Sequence, residues 1–296
     1  LAALRTPIYV DADATGTYTG LSWTDAFTDL QAALSGAVYD DEIWVAEGTY
    51  KPTDGADRSA SFTMVPGVEI YGGFAGTEVD RDQRDWVTHV VTLSGDIGAI
   101  GGISDNSYHV VVGSGVTETA ALDGFVITEG NAGGSDPNDR GGGIYVSAGD
   151  PVIRNCTIEG NRASYWGGGM TVEDAGTPVV VDTTFIGNHA AAYGGGLASL
   201  SASPAQIINV RFLGNTGTYG GGGAVSWQSN TRYNNALFSG NRSNSGGGGG
   251  LYNWSANAEL RGVTVSRNYA YSNGGGIMNS GGGPSVANSV FWDNSV

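Results

Sequence analysis

The chain has 296 residues, 40% of them hydrophobic, and a formal net charge of −16. So acidic a chain is no nucleic-acid binder, because such a surface needs clustered Lys and Arg to displace counterions. No apolar run approaches the about twenty residues that cross a bilayer, and 51 glycines against 8 prolines without a three-residue period exclude collagen.

In chain order, LAALRTP (residues 1–7) is too short for a whole signal peptide and is compatible with following a cleaved one. Ile8–Gly20 alternates like a strand and then turns polar. SWTDAFTDLQAALSG predicts one amphipathic helix: Ser22 caps it, Asp25 stands three residues on, Trp23, Ala26, Phe27, Leu30, Ala33 and Leu34 share a face, and Gly36 ends it. That helix is expected to cover the open end of the coils that follow, where unpaired strand edges invite association.

Strand-like segments come next at EIWVAEG, VEIYGGF, HVVTLSG, YHVVVGS and LDGFVITEGN. Between them, Asp80, Asp82 and Asp85 alternate with Arg81 and Arg84, which predicts local salt bridges, while His89 and His109 are expected to fill or cover the core. The acidic excess belongs entirely to this part: residues 1–140 carry 22 Asp and Glu against 6 Lys and Arg, whereas residues 141–296 carry 7 of each.

From residue 141 onward the chain repeats. The third glycine of each run falls at Gly143, Gly169, Gly196, Gly223, Gly250 and Gly276, at intervals of 26, 27, 27, 27 and 26. A second marker, Asn161, Asn188, Asn215, Asn241, Asn268 and Asn294, keeps the same period. After each glycine run comes an apolar residue, from Ile144 to Ile277, and two residues on stands a second inward column that begins Val146, Val172. Three residues before each marker asparagine stand Ile158, Phe185, Phe212, Phe238, Val265 and Phe291, the large inward column of another strand. Cys156 belongs to the small column beside it and reads as a buried apolar residue, and one cysteine allows no intrachain disulfide.

A further polar column, Asn155, Asp182, Asn209, Asn235, Gly262 and Asn288, lies six residues before each marker. Both asparagine columns read as turn-formers whose amides can also bond along the stack. A phosphate loop is excluded, because it needs one glycine loop followed by a helix, and these glycines recur without one. No helical spacing and no leucine frame is present, so each period reads as one coil of a right-handed parallel β-solenoid. The predicted organisation is a single domain over residues 1–296: an amino-terminal strand and capping helix (1–36), irregular acidic coils (37–140) and regular coils of 26–27 residues (141–296).

Chemistry is expected where the period breaks. Asn131 and Asn161 are 30 apart, and EGNAGGSDPNDRGGG is expected to bring Glu129, Asp136, Asp139 and Arg140 together in one loop. Its reading is a solvated surface loop, in which Asp136, Asn138 and Asp139 can also hold calcium through hard oxygen ligands; no other cofactor is expected. Outward columns Tyr145, Thr171, Ala198, Val225, Tyr252 and Met278, with Trp166, Trp227 and Trp254, are expected to offer a long face to a glycan or surface partner.

IYVDADATGTYTGLSWTDAFTDLQAAL with DEIWVAEGTYKP, followed by Gly-Gly-Gly-apolar and Phe-x-x-Asn pairs, resembles right-handed parallel β-helix proteins of bacterial surfaces. The repeat pair is similar to that of chlamydial polymorphic outer-membrane proteins, within the broader pectin-lyase-like fold. The resemblance implies the β-helix fold, an extracellular or cell-surface location, and a structural or adhesive role with no defined catalytic residues. The alternative is a carbohydrate-active enzyme, a polysaccharide lyase or hydrolase, which would want two or three close carboxylates or a calcium cluster with an Arg or Lys base. Ending in mid-repeat at FWDNSV, the chain reads as a piece of a longer protein or an assembled form, and the charge split suits end-to-end stacking into a homo-oligomer or filament.

Overall fold

The computed structural model describes residues 6–201 and 203–296; residues 1–5, and with them most of LAALRTP, and Ala202 lie outside the described residues. Among the described residues the strands form four sheets of ten, nine, eight and six strands, every pair parallel. The chain is an all-β, right-handed parallel β-helix of about 27 residues per coil.

Register follows the repeat. Ile158 pairs with Phe185, Phe185 with Phe212 and Phe212 with Phe238, so residues one period apart stack directly. The three phenylalanine rings stack with centroids 5.0 and 4.6 Å apart and are fully buried. Cys156 lies in the same core, where burial pushes its thiol up to about 12, so it remains an inert thiol. Phe291, on the last coil, is 47% exposed.

Glycine runs are required where consecutive coils turn closest together. A Cβ on Gly196 would meet the Gly223 carbonyl oxygen at 2.6 Å and the Phe212 ring at 3.0 Å, so no larger residue fits there.

The marker asparagines line the inside of the adjacent bend. Asn188 donates its amide to Ile158 O (2.8 Å) and Asn215 Oδ1 (3.0 Å), and its backbone N–H also reaches Asn215 Oδ1 (3.0 Å). The same pattern recurs from Asn161 to Asn268, and Asn294 Nδ2 donates to Val265 O. The left-handed backbone belongs to the preceding residues, Gly160, Gly187, Gly214, Gly240, Arg267 and Asp293. Asn131 is not the first member: it pairs with Arg162, and Gly130 takes the marker position, its N–H donating to Asn161 Oδ1 (2.9 Å). The exposed column is different, because Asn155, Asp182, Asn209 and Asn235 themselves adopt positive φ (48–56°).

The amino-terminal helix is shorter than the sequence predicts. Helix α1 spans Leu30–Gly36, with Asp29 as its cap and Leu30, Ala33 and Leu34 buried in the end of the core. Residues 23–27 cannot join it, because their backbone is engaged elsewhere: Phe27 N donates to Tyr9 O (2.9 Å) and Phe27 O accepts from Asp11 N (2.8 Å). Ser22 and Asp25 close a turn in which the carboxylate accepts from Thr17, and Trp23 packs on Tyr9.

Asn215→Ala should cost about 3 kcal/mol, because it orphans the buried Asn188 N–H and the Phe185 carbonyl at once. Asn209→Gly in the exposed column, where the backbone is already left-handed, should cost under about 1 kcal/mol. Chemical denaturation of the two variants measures the contrast, and equal losses would contradict the division between a buried and an exposed column.

Candidate functional site

One cluster of ionisable groups forms where the repeat is interrupted. Tyr145 and Glu173 project outward from neighbouring strands of the eight-stranded sheet, where Ser147 pairs with Glu173, and Arg140 precedes Trp166 in an adjoining column. Arg140 binds Asp139 (2.8 Å), Glu173 (2.8 Å) and Asp136 (3.2 Å), and Tyr145 Oη donates to Glu173 Oε1 at 2.6 Å. His109 stacks on Tyr145 at 4.8 Å, with Nδ1 3.0 Å from Gly141 O and Nε2 3.3 Å from Asn138 Oδ1.

This differs from the expected loop in its membership. Glu129 is not a member, because its carboxylate accepts from Ser94 Oγ (2.7 Å), whereas Glu173, a full coil away in sequence, is. The cation that Asp136 and Asp139 meet is the Arg140 guanidinium, and the Asn138 oxygen faces His109. Among the described residues no group of three or more His, Cys, Asp or Glu is arranged to hold a metal ion.

The electrostatics hold each proton in place. Burial works against the Arg140 charge, but Asp139 and Glu173 overcome it and raise the guanidinium above its ordinary value. Burial, then Glu173, raises Tyr145. Neither group is a base at neutral pH, since a general base must give up its proton near the working pH.

A second charged cluster surrounds Tyr71 on the outside of the ten-stranded sheet. Arg81 reaches Glu42 (2.8 Å), while Arg84 and Arg154 both bind Asp123 (2.8 and 2.6 Å), with the three guanidinium carbons 4.7–5.7 Å from the Tyr71 ring centroid. The expected local salt bridges of residues 80–85 are therefore long-range ones. Asp80 instead caps the short 3-10 turn Arg81–Gln83, and Asp85 accepts from Thr88, which lowers its pKa. His89, half-buried, pairs with Glu47 at 3.0 Å.

The outward columns of the eight-stranded sheet are also corrected. Thr171, Ala198 and Val225 are fully buried, because a second layer covers them. Trp166 stacks on Tyr193 (4.9 Å) and Trp227 (5.4 Å), and Tyr252 on Trp254 (5.5 Å). Only the outer members of this satellite core, Tyr193, Trp227, Trp254 and Met278, remain half-exposed.

A groove follows the outer corner between the ten- and nine-stranded sheets, polar at its Arg211 end and largely apolar at its Trp86 end. Two hollows of about 420 and 320 Å³ share Asp182 and Thr184 along it. Sequence reasoning saw only its asparagines, and missed Thr184, Arg211 and Leu237, since outward positions vary from coil to coil and leave no period.

His109 makes the first site sensitive to acid. Burial holds it below 6.5, so its contribution to stability is complete above that unfolded value and is lost as the pH falls through it towards the lower folded value. His189, lowered by burial and Arg162, adds in the same direction. His109→Asn should flatten the fall in thermal midpoint between about pH 7.5 and 5.5; an unchanged slope would assign that fall elsewhere.

Neither any family model nor any curated protein sequence matches the chain. Among solved structures it is similar to pectate lyase Pel9A, at 13% identity and a TM-score of 0.49, over 97% of this chain and 79% of that one. It is also similar to a rhamnogalacturonan lyase, at 14% identity and a TM-score of 0.34, over 96% and 87% of the two chains. At such identities nothing of either lyase's chemistry passes to this chain.

Proposed function

We propose that the protein is a non-catalytic structural or adhesive protein of the cell surface or extracellular space. The observation that carries this reading is the state of the clustered acids: Glu173 and Asp139 are bound to Arg140, and Asp123 to Arg84 and Arg154. Arg140 and Arg154 are raised rather than lowered, so the coils hold stable charge pairs in place of a poised acid and base. The resemblance of the repeats to secreted surface proteins supports the location. The half-exposed aromatic layer offers a face for a surface partner.

End-to-end stacking into a filament belongs to the same reading. All the net charge lies in residues 1–140, so a neutral end meeting an acidic end brings no like charges together.

Incubation with a panel of pectic and neutral polysaccharides should release neither reducing ends nor unsaturated products. Turnover that Glu173→Gln abolishes would replace this reading with the carbohydrate-active one. Sedimentation velocity at rising concentration should show species growing by whole protomers, whereas a strict monomer would remove the stacking.

A further inference from the structure

We propose that the outer corner groove binds a single strand of a neutral polysaccharide lying parallel to the solenoid axis. The proposal rests on the adhesive reading and names the ligand class that such a surface would hold.

Length comes first. Val126, Thr157, Thr184, Arg211 and Leu237 are successive register partners along one wall, each one coil above the last. Adjacent parallel strands lie about 4.8 Å apart, so the wall runs roughly 19 Å, and each step is close to the length of one pyranose in an extended glycan.

The floor supplies hydrogen-bonding groups at that same step. Positive φ turns Asp182, Asn209 and Asn235 out to solvent. Asn209 donates to Asp182 (3.1 Å) and Asn235 to Asn209 (2.8 Å). A primary amide has two N–H groups and two acceptor sites, so these amides keep valences open after bonding along the column. On the wall, the Thr157 and Thr184 hydroxyls and the Arg211 guanidinium make no hydrogen bond or ion pair among the described residues. Arg211 thus differs from Arg84, Arg140 and Arg154, which are all paired with carboxylates.

Charge selects among ligands. The two hollows are lined by one carboxylate, Asp182, and one guanidinium, Arg211, which balance. A polyanion is opposed by Asp182 and a polycation by Arg211. A chain of hydroxyls can accept from Arg211 and donate to Asp182 without either penalty. An extended peptide strand is poorly served, because the backbone N–H groups of Asn155, Asp182, Asn209 and Asn235 already bond the next coil and leave no ladder for strand addition. At the amino-terminal end of the groove stands Trp86, 38% exposed and held by Arg84 4.7 Å from its ring, an aromatic surface against which a sugar can pack.

The test is affinity electrophoresis in gels containing mixed-linkage β-glucan, xylan, galactomannan or polygalacturonate. Wild-type protein should be retarded by at least one neutral polymer, with little dependence on salt. The double variant Thr184→Val/Arg211→Ala, at a half-buried and an exposed position, should lose about tenfold or more in affinity, since it removes hydrogen bonds to a charged donor, while its thermal midpoint stays put. No retardation by any neutral polymer, retardation unchanged in the double variant, or retardation by polygalacturonate alone that salt removes would each overturn the proposal. Cleavage of a bound polymer would overturn the non-catalytic reading and leave the groove standing. Retention of the protein on its cell surface without polymer binding would do the reverse.

Discussion

Everything in this structure depends on one constraint, the direct parallel stacking of each coil on the last. Residues one period apart are held about 4.8 Å from each other, so a side chain's main neighbour is its own counterpart in the next coil. An apolar side chain at such a position finds an apolar partner, as in the Phe185, Phe212 and Phe238 stack. A polar side chain can be buried only if it is both donor and acceptor, because the same group must satisfy the coil above and the coil below. Asparagine meets that condition, and its placement at a bend has a further consequence. Where the strand ladder breaks, the Asn188 amide takes the Ile158 carbonyl and the Asn215 amide takes that of Phe185, so the side chain completes the pairing that the backbone interrupts.

The charged half of the molecule is held by a different device. Its loops are irregular, so repetition cannot pair them, and arginines reach across sequence to fasten them. Arg81 meets Glu42, 39 residues away, and Arg154 gathers Asp123 and Glu69. These pairs are partly shielded, with the Asp123 side chain only 3% exposed, and removing one partner from such a pair costs more than the pair itself contributes. The acidic surplus lies around them rather than within them.

This difference explains what the sequence makes legible. Period, sheet membership and inward columns from Gly143 to Phe291 are readable, because each position repeats its own neighbour. Ser22–Gly36 reads as one long helix because its apolar spacing fits, yet the pairing of Phe27 with Tyr9, two segments that share no pattern, removes its first half. Glu173 is invisible as a partner of Arg140 for the same reason: it pairs with Ser147 and ends its strand in line with the row Leu200, Trp227, Trp254 and Ser280, none of them charged. Asn131 misleads in the opposite way, since it copies the marker's identity but stands one position beyond it, outside the bend.

The two asparagine columns carry the last step. They look alike in sequence, but their tolerance of change within this one chain separates them. The inner column is asparagine from Asn161 through Asn294 in every coil, as a side chain with obligations to two neighbours must be. The outer column admits Asp182 and Gly262, because its only fixed requirement is a left-handed backbone, which aspartate and glycine meet as well. A column that admits other residues at its positions is where a repeat protein can place a groove without disturbing the stack. Arg211 and Thr184 stand beside that column with side chains that make no hydrogen bond or ion pair among the described residues, so selection on the groove can act there while the inner column keeps the coils together.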